Sequence, residues 1–130
     1  MAVILYVEDD SEQVLMMRMY LEKKNFTLVI AEDGREALDK IKNLRPDLIL
    51  LDLFMPRLDG FGVMRAIKSN PQTAPIPIII LSAWPTSENR RRAEEAGAVD
   101  FVAKPYEPAY LALLIEKHLA IAQAADSASQ

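Results

Sequence analysis

The sequence predicts an α/β fold: a doubly wound, five-stranded parallel sheet of order 2-1-3-4-5, layered between helices on both faces. Three observations lead there. Short apolar runs alternate with segments of helical periodicity five times along 130 residues, the pattern of parallel strands joined by crossover helices. The run Leu48-Ile49-Leu50-Leu51 is apolar at every position instead of every second one, as in a strand buried on both faces. Acidic residues follow two of the runs, Glu8-Asp9-Asp10 the first and Asp52 the third, at the carboxyl ends of strands where open α/β sheets hold ligands. Right-handed crossovers leave few topologies, and the order 2-1-3-4-5 sets the first and third strands side by side at the switch point.

The elements follow in order. Residues 3–7 form the first strand, and Glu8-Asp9-Asp10 an acidic loop. Ser11 is the expected N-cap of a first helix, in which Val14, Leu15, Met17 and Leu21 recur at helical spacing as far as Lys24. Ser11-Glu12-Gln13-Val14 is not a full capping box. Asn25 closes this helix, residues 28–31 make the second strand, and Asp33-Gly34 turns the chain. Ala37, Leu38, Ile41 and Leu44 mark a second helix, stopped by Pro46. The third strand runs into Asp52, and residues 53–60 form a loop punctuated by Pro56 and Gly60.

Phe61, Val63, Met64 and Ile67 carry a third helix that ends near Asn70-Pro71. The fourth strand spans residues 76–81 and ends at Ser82; Pro75 and Pro77 are tolerated at its start, where a missing N–H need not join the ladder. Ser87 is the expected cap of a charged helix over residues 88–96, with Gly97 as its C′ residue. Residues 99–103 are a short fifth strand ended by Lys104-Pro105. A last helix starts near Pro108 and runs to about Ala122, and the small, polar end reads as frayed. The expected organisation is one domain over residues 1–122 with a flexible tail over 123–130.

Composition excludes several classes. A formal net charge of −4 disfavours direct binding of nucleic acid. The chain has no Cys and 1 His, so disulfides, thiolate metal sites and polyhistidine zinc sites do not arise. The N-terminus has no basic segment and too short an apolar run for a signal peptide or a membrane span. A cytoplasmic protein without membrane insertion is expected.

Glu8, Asp9 and Asp52 are hard oxygen ligands crowded at neighbouring strand ends, a set that suits Mg²⁺ (or Mn²⁺) together with a phosphate. Ser82 ends the fourth strand and can donate a hydrogen bond to an anion. Lys104 ends the fifth and can bring a point charge to a phosphate. Each residue alone is ordinary at a strand end; together they converge on one edge of one sheet.

These residues carry a resemblance. Tyr6-Val7-Glu8-Asp9-Asp10, Leu51-Asp52 with Met55-Pro56 and Asp59-Gly60, Leu81-Ser82-Ala83, Ala96-Gly97-Ala98 and Phe101-Val102-Ala103-Lys104-Pro105 resemble, in order and spacing, the receiver domains of two-component response regulators, which have a flavodoxin-like fold. The resemblance implies that Asp52 is a phosphoacceptor for the phosphohistidine of a sensor histidine kinase or phosphotransfer protein. It implies that Asp9, Asp52 and the backbone carbonyl of Phe54 bind Mg²⁺, with Glu8 reaching the metal directly or through water. Lys104 would bind a phosphoryl oxygen, Ser82 would move to the acyl phosphate, and Phe101 would be the aromatic switch. It further implies a commonly cis Lys104-Pro105 bond, and a signalling protein instead of an enzyme in the turnover sense. Phosphoryl transfer asks for in-line positioning and cationic stabilisation more than acid–base chemistry.

Two positions that tune dephosphorylation in the family are here Phe54 and Trp84, both large and apolar. Such groups hinder an attacking water, so a long-lived phosphoryl group is expected. The last helix is apolar on every side over Ala109-Tyr110-Leu111-Ala112-Leu113-Leu114-Ile115, so its outer face is expected to be covered. A homodimer or a downstream protein target on the face of the fourth helix, fifth strand and last helix, through Tyr110 and Leu114, is the expectation. Arg90-Arg91-Arg92 with Glu94-Glu95 reads as a solvated face with Arg90–Glu94 and Arg91–Glu95 pairs. His118 reads as a surface residue.

Rival readings are weaker. An aspartate-nucleophile hydrolase of the haloacid dehalogenase type needs a second Asp where Phe54 stands. A flavodoxin-like cofactor binder needs a phosphate loop where Glu8-Asp9-Asp10 would repel the anion. A phosphorylation-independent docking module keeps the same fold, but the acidic pair, Asp52, Ser82 and Lys104 are all intact. For output the expectation is a stand-alone receiver similar to the chemotaxis regulators, or a receiver cut from a longer regulator.

Overall fold

The computed structural model describes residues 1–55 and 59–128. Pro56 of the loop after Asp52 and the last two residues of the expected tail lie outside the described residues. The element order is β1 (Val3–Val7), α1 (Ser11–Lys23), β2 (Thr27–Ala31), α2 (Gly34–Asn43), β3 (Leu48–Asp52), α3 (Gly60–Ser69), β4 (Ile78–Ser82), α4 (Ser87–Glu95), β5 (Asp100–Ala103) and α5 (Pro108–Ala128). The strands are all parallel, in the order β2-β1-β3-β4-β5.

Successive side chains of a strand point to opposite faces, and here both faces are covered. Leu5, Val7, Ile49, Leu51, Ile78 and Ile80 face a core completed by Ala37, Ile41, Val63, Met64, Ile67 and Ala93 from α2, α3 and α4. Ile4, Tyr6, Leu48, Leu50, Ile79, Leu81 and Val102 face a second core with Met17 and Leu21 of α1 and Leu111, Ala112 and Ile115 of α5. This double burial is why the runs are apolar throughout. It also fixes register, since a one-residue slip exchanges the two cores. Val7 pairs with Leu51, Asp52 with Leu81 and Ser82 with Ala103, so the strand ends finish level at one edge.

Several boundaries differ from the sequence expectation. Asp10, not Ser11, is the N-cap of α1: its carboxylate accepts from the backbone N–H groups of Glu12 and Gln13 at 2.9 and 3.2 Å. Gln13 also donates from its amide to Asp10 Oδ2 at 3.2 Å. Thr86, not Ser87, caps α4 through Asn89 N–H at 3.1 Å. β4 begins at Ile78, because Pro77 offers the ladder its carbonyl, to Ile49 N–H at 2.9 Å, but has no N–H to offer. β2 starts one residue early, at Thr27, and β5 one residue late, at Asp100. α5 continues past Ala122 to Ala128, through an alanine-rich stretch without Gly or Pro.

Three side-chain expectations are also corrected. His118 is not a surface residue: it is 7% exposed, with Nε2 3.1 Å from Asp100 Oδ2. A buried imidazole needs a polar partner, and β5 supplies one. Arg91 pairs with Glu95 at 3.0 Å as expected, but the Arg90–Glu94 pair does not form among the described residues, and the Arg90 guanidinium lies over the Phe101 ring. Leu15 is not a core position of α1; it is exposed with Met16 and Met19, while Met17 and Leu21 face the sheet. No described helix is long and apolar enough to cross a membrane.

Candidate functional site

The site sits where β1, β3, β4 and β5 end. Asp52 is the last residue of β3, 9% exposed. Its Oδ1 accepts from the backbone N–H of Phe54 at 3.2 Å, and its Oδ2 lies 3.3 Å from Lys104 Nζ. Gly60 keeps this turn tight. A Cβ there would stand 2.7 Å from Leu53 Cα and 2.9 Å from the Asp52 carbonyl oxygen. Only glycine lets α3 start against the backbone of Asp52 and Leu53, where Gly60 N–H also donates to the Leu53 carbonyl at 2.8 Å.

Glu8 follows β1 and is buried at 1% exposure; Asp9 beside it is exposed. Glu8 takes the Lys104 ammonium at 2.5 Å on Oε1 and the Asp10 N–H at 3.3 Å on Oε2. Burial pushes the Glu8 carboxyl up to about 7, against the pull of Lys104 and with the help of the Asp52 charge. Burial pulls the Lys104 ammonium down, but the hydrogen bond to Glu8 and the Asp52 and Glu8 charges outweigh it and hold the group above its ordinary value. The Lys104-Pro105 bond is cis.

Glu8, Asp9 and Asp52 each offer a carboxylate oxygen, and these oxygens lie within 4.8 Å of one another. Hard oxygen donors packed this closely fit a divalent cation, which relieves their mutual repulsion. Ser82 at the end of β4 is fully buried, and its Oγ accepts from Trp84 N–H at 3.0 Å. Phe101 lies half-buried on β5, one strand further on. Phe54 and Trp84 follow the ends of β3 and β4 and are 45% and 63% exposed. The sequence-predicted residues of the β1, β3, β4 and β5 ends thus gather on one edge. Asp52, Glu8, Asp9 and Lys104 make direct or near contacts there, while Phe101 lies away from the carboxylates toward α4.

The family model of the response regulator receiver domain matches residues 4–116. The chain belongs to that family. This receiver domain is 41% identical over 113 residues to the transcriptional regulatory protein ResD of Bacillus subtilis, covering 87% of this chain and 46% of ResD. It spans about half the length of the curated relatives it matches. Among solved structures, the signal receiver domain of a LuxO repressor protein from Vibrio parahaemolyticus superposes with a TM-score of 0.93 at 27% identity, over 99% of this chain and 98% of that one. The receiver domain of sensor histidine kinase PA1611 from Pseudomonas aeruginosa, with magnesium coordinated in its active site cleft, superposes with a TM-score of 0.85 at 28% identity, over 92% and 98% of the chains. Receiver domains are signalling units of two-component systems with an acidic Mg²⁺ site, and this receiver has such a cluster.

Some contacts around the site have a weak local signal or none. The cap on α1 was legible one residue earlier, since Asp10 stands three before Gln13, the capping-box spacing. Asn89 and Arg90, which tie α4 to the loop beyond Ser82, carry no sequence signal; they matter only because of where α4 lies.

Proposed function

We propose that Asp52 accepts a phosphoryl group from the phosphohistidine of a sensor histidine kinase or a phosphotransfer protein. A carboxylate oxygen of Asp52 attacks phosphorus as the N–P bond breaks. The imidazole leaves with the bonding pair, and an acyl phosphate remains on Asp52. The observation that carries this reading is the contact set of Asp52: an ammonium at 3.3 Å and two further carboxylates whose oxygens lie within 4.8 Å. Asp9, Asp52 and the Phe54 carbonyl would hold Mg²⁺, with Glu8 direct or through water; the ion supplies positive charge for the phosphoryl oxygens. Lys104 lies close enough to leave Asp52 for a phosphoryl oxygen, and Ser82 would donate its hydroxyl to another.

The proposed signal is a change in the face of α4, β5 and α5, with Phe101 following Ser82. Tyr110 and Leu113 on α5 are 52% and 64% exposed, which supports a homodimer or a downstream protein on this face; Leu114 is partly packed against the core. The deciding experiment is intact mass after incubation with acetyl phosphate and Mg²⁺. A single phosphate on the wild type, lost with EDTA and absent in Asp52→Asn, is expected. No adduct from acetyl phosphate or from a kinase, and no beryllofluoride binding, overturns the phosphoacceptor role.

A further inference from the structure

Beyond the phosphoryl site, a continuous set of contacts leads to Phe101. Ser82 Oγ accepts from the backbone N–H of Trp84 at 3.0 Å. The carbonyl of Trp84 accepts from the Asn89 amide at 3.0 Å, and the carbonyl of Pro85 from Arg90 Nε at 3.4 Å. The Arg90 guanidinium then lies 4.8 Å from the centre of the Phe101 ring. Arg90 is thus bound at once to the loop after Ser82 and to the face of the aromatic ring. A cation over a ring face is attracted by the ring quadrupole.

We propose that Arg90 is a positioning residue that holds Phe101 in its resting place against α4 and releases it when the loop after Ser82 moves. This rests on the reading of Ser82 and Phe101 as the groups that respond to the acyl phosphate. A Ser82 hydroxyl drawn to a phosphoryl oxygen turns away from Trp84 N–H, which loses its acceptor. The loop then shifts, and with it the Pro85 carbonyl that fixes Arg90. The guanidinium leaves the ring, and Phe101 is free to turn. Arg90 therefore biases the equilibrium toward the resting state, by as much as its contact with Phe101 favours that state.

The test uses the whole chain with phenylalanine isotopically labelled for NMR, the Phe101 signal being assigned with Phe101→Leu. Wild type, Arg90→Met and Arg90→Lys are titrated with beryllofluoride and Mg²⁺. The methionine keeps length and helix propensity but loses the charge. Its unliganded Phe101 signal is expected to lie part-way toward the beryllofluoride-bound position, and its beryllofluoride affinity to rise about two- to fivefold. Arg90→Lys, which keeps the cation, is expected to lie nearer the wild type in both. An unmoved Phe101 signal and unchanged affinity in Arg90→Met, while Asp52 still takes a phosphoryl group, overturn the Arg90 role and leave the receiver reading standing. A wild type that takes neither phosphoryl group nor beryllofluoride overturns both.

Discussion

Lys104 and Glu8, 96 positions apart in sequence, meet at 2.5 Å in the floor of the site. The same ammonium lies 3.3 Å from Asp52. Lys104 therefore does two things in the resting protein: it compensates a buried carboxylate, and it keeps a cation beside the proposed phosphoacceptor. Glu8 remains a costly group all the same, since burial has pushed its carboxyl up to about 7.

That cost has a sign. A carboxyl raised in the folded state favours folding below its unfolded value, and the benefit is lost as pH rises from about 4.5 to about 7. Metal-free Glu8→Gln is expected to be more stable than wild type above that window, by on the order of 2 kcal/mol. The difference should vanish below it. Chemical denaturation across that range in EDTA checks both the sign and the window.

Mg²⁺ should act in the opposite sense on the wild type. A ligand that binds only the folded state stabilises it by mass action, so millimolar Mg²⁺ is expected to raise Tm and EDTA to reverse the rise. Asp9→Asn should lose most of this response while still folding, because Asp9 is exposed. Quenching of Trp84, the 1 Trp of the chain, gives an independent titration.

Gly60→Ala is expected to destabilise the protein by about 2 kcal/mol, in the range of overpacking. The added methyl would meet backbone atoms of Leu53 and Asp52 under 3.0 Å away, and backbone cannot swing aside as a side-chain tip can. Labelling of Asp52 should slow as well, because the displaced atoms belong to its own peptide unit. Unchanged stability and labelling would show that α3 can begin further from β3.

Phe54 and Trp84 lead to a prediction about lifetime. Both rings are exposed at the rim instead of packed into the core, so truncating them costs little stability. Phe54→Ala and Trp84→Ala are expected to speed acyl-phosphate loss several-fold, and the double variant more. Decay followed by intact mass after removal of the phosphodonor reads this directly; equal lifetimes in all forms would leave the rings without a shielding role.

Tyr110 and Leu113 stand free on α5. Sedimentation with and without beryllofluoride is expected to show association that Tyr110→Glu abolishes. A monomer at every concentration in both states excludes the homodimer and leaves a heterologous target for the face.

The element order, the parallel sheet and the strand ends that carry Glu8, Asp9, Asp52, Ser82 and Lys104 are legible from local pattern alone. Continuous apolar runs of four or five residues, closed by turn residues, read as strands covered twice, and a strand's end is marked locally by the residue that breaks the run. Cap positions were off by one at Asp10 and Thr86, since neighbouring polar residues compete for the same N–H groups and backbone geometry decides between them. Packing of distant elements is what makes Lys104 bond Glu8 as well as Asp52, buries His118 against Asp100, and turns Arg90 from Glu94 to Phe101. Each of these joins groups far apart in sequence or turns a long side chain off its own helix. Such contacts follow from how α4, β5 and α5 pack on the sheet, and local periodicity holds no trace of that.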